Sequence, residues 1–253
     1  MPKFSIASAL NTLLDLLLPH RCALCDAAGI QTAGLCSSCF LKIEFNQQPT
    51  CKGCARPLDD TWAGKSAPLC GDCLRSPPIF DQAVAAVRYN RAIADIILKL
   101  KHGDRLDLAP IVAKWMATAW INANAHNIDY IVPVPLHWRR QTERRYNQSL
   151  ELARHLPALI GGELRPRLLL RTRNTVQMRQ MTRISRQRNV AGAFKIGSLW
   201  SKKSSQLLRG KHILVVDDVY TTGATLRTIA STLRAANVST VNILIAALVV
   251  RSK

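Results

Sequence analysis

Eight cysteines in four C-x-x-C pairs restrict the fold of this chain more than any other feature. All of them lie within the first 73 of 253 residues. The pairs are Cys22 and Cys25, Cys36 and Cys39, Cys51 and Cys54, and Cys70 and Cys73. A C-x-x-C turn presents two thiolates, and zinc takes four in a tetrahedron, so the pattern predicts two structural Zn²⁺ sites with no open position for water. A region this short buries too little apolar surface to fold without such a metal.

The spacing leaves the pairing of the four units open. Ten residues separate the first unit from the second, 11 the second from the third, and 15 the third from the fourth. Two sequential zinc ribbons are the simpler arrangement, and an interleaved arrangement of first with third and second with fourth is the alternative. A redox-active C-x-x-C is disfavoured because the four pairs lie outside any βαβ pattern.

The cysteines and the start of the chain indicate a cytoplasmic protein. Cytosolic thiols stay reduced, and residues 1–20 lack the charged start and the cleavage site of a secretory signal. The apolar run at residues 6–18 is interrupted by Asn11 and Asp15, and no run reaches the ~18 residues of a membrane span. We expect a short amphipathic helix there that packs on the protein, with membrane-surface contact as the alternative.

The whole chain has a formal net charge of +19, and most of this charge lies in its second half. Residues 1–130 carry 13 Lys/Arg against 11 Asp/Glu, a net +2, and residues 131–253 carry 22 against 5, a net +17. The second half is therefore expected to bind a polyanion, either a phosphorylated small molecule or a nucleic acid.

Alternating strand and helix patterns follow the breaker Ser76-Pro77-Pro78. We expect strands at residues 83–89, 129–135, 213–216 and 241–250, and helices at residues 93–100, 108–122, 146–160 and 225–236. This order predicts an α/β fold, a parallel sheet flanked by helices. The predicted domains are residues 1–76, with the N-terminal helix and the double zinc ribbon, and residues 77–253, the α/β domain.

A buried strand at residues 213–216 leads to two adjacent carboxylates, Asp217 and Asp218. The turn that follows is Thr221-Thr222-Gly223-Ala224-Thr225. Its backbone N–H groups, its hydroxyls and the positive end of the next helix favour a bound phosphate, and the carboxylates suit the vicinal hydroxyls of a ribose. An ordinary capped turn is the alternative, but it gives no reason for two mutually repelling carboxylates side by side.

These residues resemble the signature of the type I phosphoribosyltransferases, which bind phosphoribosyl pyrophosphate (PRPP) together with Mg²⁺. The resemblance implies that Asp217 and Asp218 are the catalytic carboxylates and bind the ribose 2′- and 3′-hydroxyls. It implies that residues 221–225 bind the 5′-phosphate. The full Walker A pattern, another phosphate-binding loop, is absent.

A basic segment follows the strand at residues 129–135. Its Pro133-Val134-Pro135 resembles the pyrophosphate loop of glutamine PRPP amidotransferases. The resemblance makes Arg139, Arg140 and Arg144, with the adjacent arginine 145, the natural pyrophosphate ligands, because guanidinium groups pair bidentately with phosphate. A solvated basic helix start is the alternative for each single arginine.

Residues 165–195 contain nine basic residues and no acidic one. We expect an arginine-rich loop that closes over a bound diphosphate. A nucleic-acid backbone is the alternative partner for this loop.

Motifs along nearly the whole chain resemble the ComF family of competence proteins. They are the four C-x-x-C pairs, the PRPP loop, and residues 13–19, 98–103, 145–149 and 189–194. The resemblance implies a type I phosphoribosyltransferase fold with an N-terminal zinc-ribbon module. It also implies a role in the uptake or processing of single-stranded DNA during natural transformation. Tyr220, inside the PRPP loop, departs from the family pattern and is expected to narrow the site or to stack on a base.

Three functions are compatible with the sequence. The first is a Mg²⁺-dependent phosphoribosyltransferase, whose chemistry requires no protein nucleophile. The second is a catalytically silent module that binds nucleic acid or senses PRPP. The third is a scaffold whose zinc module docks a partner protein while PRPP stabilises the fold. No signature in the sequence identifies an acceptor substrate.

Overall fold

The computed structural model describes most of the cysteine-rich region and of the α/β region. The described residues are 21–28, 34–63, 68–102, 105–123, 127–136, 146–172, 192–197 and 207–250. The predicted N-terminal helix lies outside them. Among the described residues, no helix has the length and apolar character needed to cross a membrane.

Seven strands are formed by the described residues. They are β1 (Gln82–Arg88), β2 (Tyr130–Pro133), β3 (Glu163–Leu164), β4 (Leu169–Arg171), β5 (Phe194–Ile196), β6 (His212–Tyr220) and β7 (Thr240–Leu248). Five of them form one sheet in the order β1-β7-β6-β2-β3, in which every pairing is parallel. Strands β4 and β5 form a separate antiparallel pair.

Seven α-helices accompany these strands in the described part of the chain. They are α1 (Ser37–Phe40), α2 (Gly71–Arg75), α3 (Arg91–His102), α4 (Ala109–Asn122), α5 (Gln148–Ala153), α6 (Pro157–Ile160) and α7 (Ala224–Arg234). Short 3₁₀ turns lie at Asp60–Trp62 and Leu106–Leu108. A parallel sheet with flanking helices confirms the predicted fold class.

The two faces of the sheet support two separate apolar layers. Along β6, Leu214 and Val216 belong to the layer that contains α3, α4 and α5, whereas Ile213 and Val215 belong to the layer that contains α7 and the β4-β5 pair. This alternation follows from the two-residue period of a strand. Both faces are therefore covered, as a parallel sheet requires.

Two predicted elements differ from the structure. The single helix expected at residues 146–160 is two helices, α5 and α6, because Pro157 lacks the N–H that would continue the first one. The strand expected to end at residue 216 continues to Tyr220, because Val219 and Tyr220 still pair with β7. The acidic pair therefore lies within the last part of β6.

The cysteine-rich region docks on the outer edge of β1. The Arg88 N–H donates to the Glu44 carbonyl at 2.7 Å, the Asn46 N–H donates to the carbonyl of residue 86 at 2.9 Å, and the N–H of residue 83 donates to the Lys52 carbonyl at 2.8 Å. These bonds use backbone groups that an uncovered edge strand would expose. The predicted boundary between residues 76 and 77 stays a prediction.

Candidate functional site

The eight cysteines form two clusters of four sulfurs. One consists of Cys22, Cys25, Cys36 and Cys39, and the other of Cys51, Cys54, Cys70 and Cys73. Within each cluster all four Sγ atoms lie within 4.8 Å of one another. The sequential arrangement is confirmed, and the interleaved alternative is wrong.

The sulfur geometry fits zinc. The Sγ atoms of Cys25 and Cys36 are 3.7 Å apart, and so are those of Cys54 and Cys70. Four sulfurs at the usual Zn–S distance of about 2.3 Å in a tetrahedron lie about 3.8 Å from each other. Each cluster therefore has the donor set and the spacing of a closed structural zinc site.

In the second cluster, hydrogen bonding shifts the pKa values of two thiols in opposite directions: it lowers the pKa of Cys51 and raises that of its donor, Cys54. A hydrogen bond from the Cys54 thiol lowers the pKa of Cys51 to about 5, although burial opposes the shift. The Cys70 N–H also donates to Cys51 Sγ at 3.2 Å. Burial raises the pKa of Cys73 to about 12, so metal binding must still displace protons from this cluster.

The two carboxylates near the end of β6 are each held by one oxygen. Asp217 Oδ1 accepts hydrogen bonds from Ser149 Oγ and from the Asp218 N–H, both at 3.0 Å. Asp218 Oδ2 forms an ion pair with Lys101 Nζ at 2.5 Å. Asp217 Oδ2 and Asp218 Oδ1 make no hydrogen bond or ion pair with the residues that the structure describes, so one oxygen of each aspartate is available to a ligand.

The environment of the pair disfavours a second negative charge. Burial raises the pKa of Asp217 to about 7, and the neighbouring charge of Asp218 adds to the shift. Ser149 and Lys101 act in the opposite direction, because they stabilise the ionised form.

Three side chains of the motif at residues 146–149 connect the elements around this pair. Tyr146 Oη donates to the carbonyl of Leu100 at the end of α3 at 2.7 Å. Asn147 Nδ2 donates to the carbonyl of Val134 after β2 at 3.0 Å, and its Oδ1 caps α5. Ser149 then reaches Asp217. The motif therefore fixes α3, the end of β2 and β6 relative to each other.

The predicted phosphate turn begins α7. Gly223 adopts a left-handed conformation with φ of 70° and precedes the first residue of that helix. A Cβ atom at this position would overlap the hydroxyl of Tyr220 and would lie 2.7 Å from its Cζ. Glycine is therefore required both by the backbone angle and by the close approach of the tyrosine ring.

Tyr220 joins the turn to the second cysteine cluster. Its side chain is only 7% exposed, so it is not available to stack on a base. Burial is the main cause that raises the pKa of Tyr220 to about 12, and the nearby Cys54 adds to the shift. The phenol therefore stays neutral and fills the space between the ribbon and the turn.

Of the predicted ligand-site residues, the structure brings together the acidic pair and the turn at residues 221–225. Thr221 is exposed, and Thr222 and Thr225 are partly exposed. The predicted pyrophosphate ligands Arg139, Arg140 and Arg144 lie outside the described residues, as do residues 173–191 of the basic stretch.

Sequence reasoning missed two neighbours of the acidic pair, Ser149 and Lys101. Both belong to motifs on which the family resemblance depended, at residues 145–149 and 98–103. These motifs could have marked Ser149 and Lys101 as candidate site residues, but nothing in them indicates which partner each side chain contacts.

Comparison with known families defines the class of protein. Residues 13–74 match the double zinc ribbon domain, and residues 151–252 match the phosphoribosyl transferase domain. The chain therefore combines a double zinc ribbon with a phosphoribosyltransferase domain.

Its relatives align with this chain over nearly their whole length. The chain is 28% identical over 233 residues to the DNA utilization protein YhgH of Salmonella typhi, covering 90% of this chain and 96% of the relative. It is 29% identical over 223 residues to the YhgH protein of Escherichia coli K12, covering 86% and 92%. Competence protein F of Haemophilus influenzae is 28% identical over 228 residues, covering 88% and 94%. The predicted resemblance to the ComF family is confirmed.

Two solved structures are also similar to part of the chain. The allosteric regulatory enzyme of purine biosynthesis gives a TM-score of 0.39 at 18% identity over 59% of this chain. Glutamine PRPP amidotransferase from B. subtilis gives 0.38 at 19% identity over 59%. The chain spans 30% of the length of each.

We expect the purified protein to contain two zinc ions per chain, one in each cysteine cluster. Cys25→Ser and Cys54→Ser should each retain one ion, because each removes a ligand from only one of two separate sites. Metal content by mass spectrometry, with far-UV circular dichroism as the control for folding, tests this. Loss of both ions from a folded single variant would contradict the independence of the clusters.

Gly223→Ala should destabilise the protein more than Gly210→Ala. Both glycines have a positive φ, 70° and 73°, but an added Cβ at Gly210 meets no atom within 4 Å. Both variants introduce backbone strain at a positive φ. Only Gly223→Ala also forces Tyr220 to move, and this overpacking should lower the free energy of unfolding by about a further 1–3 kcal/mol. Urea unfolding measures the difference, and equal losses would refute the role assigned to the tyrosine contact.

The raised pKa of Asp217 predicts a pH dependence of stability. Because this carboxyl titrates at about 7 in the folded protein and at about 3.9 when unfolded, the folded state retains a proton that the unfolded state releases. Its contribution therefore lowers the free energy of unfolding as pH rises from about 4 to about 7. Asp217→Asn should raise the melting temperature relative to the unaltered protein, and the rise should be about 5–10 °C larger at pH 8 than at pH 5.

Asp129→Asn is the matched control for this measurement. The His212 N–H and the Lys211 ammonium lower the pKa of Asp129, so its ionised form stabilises the fold. This variant should lower the melting temperature at both pH values. An Asp217→Asn variant whose difference from the unaltered protein is the same at both pH values would contradict the prediction.

Proposed function

We propose that the protein binds PRPP as its Mg²⁺ complex at the carboxyl end of β6, and that this site serves the handling of single-stranded DNA in natural transformation. The observation that carries the proposal is the acidic pair, in which Asp217 and Asp218 each offer one oxygen to a ligand. Two neighbouring hydroxyls of a ribose match two neighbouring acceptors.

The phosphate end of the ligand fits the turn that follows. Residues 221–225 supply hydroxyls and backbone N–H groups at the first turn of α7, where the helix dipole favours a negative charge. The accessible Thr221 and the left-handed Gly223 agree with this assignment. The 5′-phosphate is proposed to bind there, and the pyrophosphate to bind Arg139, Arg140 and Arg144.

The chemistry of the site also suits Mg²⁺. This ion prefers oxygen ligands and is commonly bound by one or two carboxylates together with substrate phosphates. Asp217 and Asp218 supply such oxygens beside the proposed diphosphate. Bound Mg²⁺ would neutralise charge on the pyrophosphate, and the residues of the chain would orient the sugar.

The proposed link to DNA comes from the relatives and from the charge of the chain. The names of the relatives refer to DNA utilization and to competence. The net charge of +17 in residues 131–253 favours a polyanion larger than one small molecule. This charge also supports the second candidate, a catalytically silent module that binds nucleic acid or senses PRPP.

The Asp217→Asn, Asp218→Asn double variant should abolish PRPP binding measured by titration calorimetry with Mg²⁺, because it removes both hydroxyl acceptors. Zinc content should be unchanged. Asp59→Asn with Asp60→Asn is the matched control, since it makes the same charge change in an exposed acidic pair of the ribbon region. Unchanged PRPP affinity in the first double variant would refute the site.

The same preparations separate the two candidate functions. A transferase incubated with PRPP, Mg²⁺ and candidate acceptors releases pyrophosphate, and this release should be lost in the Asp217→Asn, Asp218→Asn variant. A silent module binds PRPP or single-stranded DNA without release, and its DNA affinity falls steeply with salt.

A further inference from the structure

The ion pair between Lys101 and Asp218 lies directly beside the proposed sugar-binding oxygens. Its atoms are 2.5 Å apart, and the two side chains are only 21% and 16% exposed. An ion pair this far from solvent is screened less than a surface pair, and removing one partner leaves an uncompensated charge. Lys101 is therefore more than a solvated lysine at a helix end.

The fold directs Lys101 to this position from a helix outside the matched phosphoribosyltransferase region. Ile93, Ile96 and Leu100 form the buried face of α3, and Lys101 follows the last of them. The end of this helix is fixed by the 2.7 Å bond from Tyr146 Oη to the Leu100 carbonyl. The helix that carries the lysine is thus tied to the motif that carries Ser149.

The neighbouring Lys99 has a different partner. Its Nζ donates to the carbonyls of residues 23 and 24 at 2.8 and 3.2 Å and lies 3.7 Å from Asp26, all in the first zinc ribbon. Two lysines on the same turn of α3 therefore contact the ribbon and the acidic pair separately. Lys99 offers a control that changes charge on the same helix without touching the pair.

The contacts around the two aspartates involve one oxygen of each side chain. Ser149 holds Asp217 by Oδ1, and Lys101 holds Asp218 by Oδ2. The remaining oxygens, one on each aspartate, make no such contact with the described residues. Lys101 therefore holds one oxygen of Asp218 as Ser149 holds one oxygen of Asp217. Its positive charge also offsets one of the two adjacent negative charges.

We propose that Lys101 is a positioning residue of the PRPP site, which orients the Asp218 carboxylate so that its other oxygen accepts a ribose hydroxyl. The inference rests on the proposed function. It predicts an effect on ligands that contain the sugar, and no specific effect on a ligand that contains only the diphosphate when Mg²⁺ is absent.

The test compares Lys101→Met, Lys101→Arg and Lys99→Met by titration calorimetry with PRPP, ribose 5-phosphate and inorganic pyrophosphate. Lys101→Met should lower the affinity for PRPP and for ribose 5-phosphate by at least about tenfold, because a buried charge loses its partner. Pyrophosphate is titrated without Mg²⁺, so that no metal ion links it to the aspartates, and its affinity should be unchanged within about twofold. Lys101→Arg keeps the charge and should restore most of the affinity, and Lys99→Met should bind all three ligands like the unaltered protein.

Zinc content and melting temperature of each variant show whether it is folded. Unchanged ribose 5-phosphate affinity in folded Lys101→Met would overturn the inference. Equal losses for pyrophosphate and for the sugar phosphates would also overturn it, because they would indicate a general charge effect. If Lys101→Met does not fold, the test rests on Lys101→Arg. A loss of about tenfold in the affinity of folded Lys101→Arg for both pyrophosphate and ribose 5-phosphate would then overturn the inference. Failure of the unaltered protein to bind PRPP would overturn the proposed function, and the inference with it.

Discussion

Two adjacent carboxylates at the partly buried end of a strand repel each other and lose hydration, and much of the surrounding structure compensates for this. Ser149 donates to one of them, and Lys101 forms an ion pair with the other. These two side chains come from different helices, so α3 and α5 must both be fixed against β6. Tyr146 and Asn147 fix them by bonding to the end of α3 and to the segment after β2.

The zinc ribbons take part in the same architecture and are not a loosely attached module. The region around the ribbons covers the open edge of β1, which would otherwise expose unpaired backbone groups. Lys99 ties the first ribbon to α3, and Tyr220 lies between the second ribbon and the turn at Gly223. Because metal binding supplies folding free energy to a small cysteine-rich region, bound zinc would stabilise the supports of the proposed ligand site as well as the ribbons.

Local patterns in the sequence were sufficient for the features that depend on neighbouring residues. Cysteine spacing predicted the two clusters, and the apolar run before Asp217 predicted the central strand. The helix break at Pro157 and the extension of β6 to Tyr220 were missed. The break is a local effect of the proline, which was overlooked because the helical spacing of apolar residues continues across it. The extension depends on pairing with β7.

Long-range contacts explain why the site was only partly predictable. Ser149 and Asp217 are 68 positions apart in the sequence, and Lys101 lies still farther from Asp218. No propensity or periodicity relates residues at such separations, so their meeting depends on strand order and helix packing. The motifs at residues 98–103 and 145–149 marked these side chains as part of the family pattern without identifying their partners.

The proposed ligand would change the electrostatic balance of the acidic pair. In the ligand-free protein, burial and Asp218 hold the pKa of Asp217 near 7, so close to neutral pH the carboxyl is partly protonated. A ribose hydroxyl that donates to Asp217 Oδ2 stabilises the ionised form, and so does Mg²⁺ beside it. Binding of the sugar and ionisation of Asp217 therefore favour each other. The site is better suited to a ligand that brings hydroxyl donors and a cation together than to a bare polyanion.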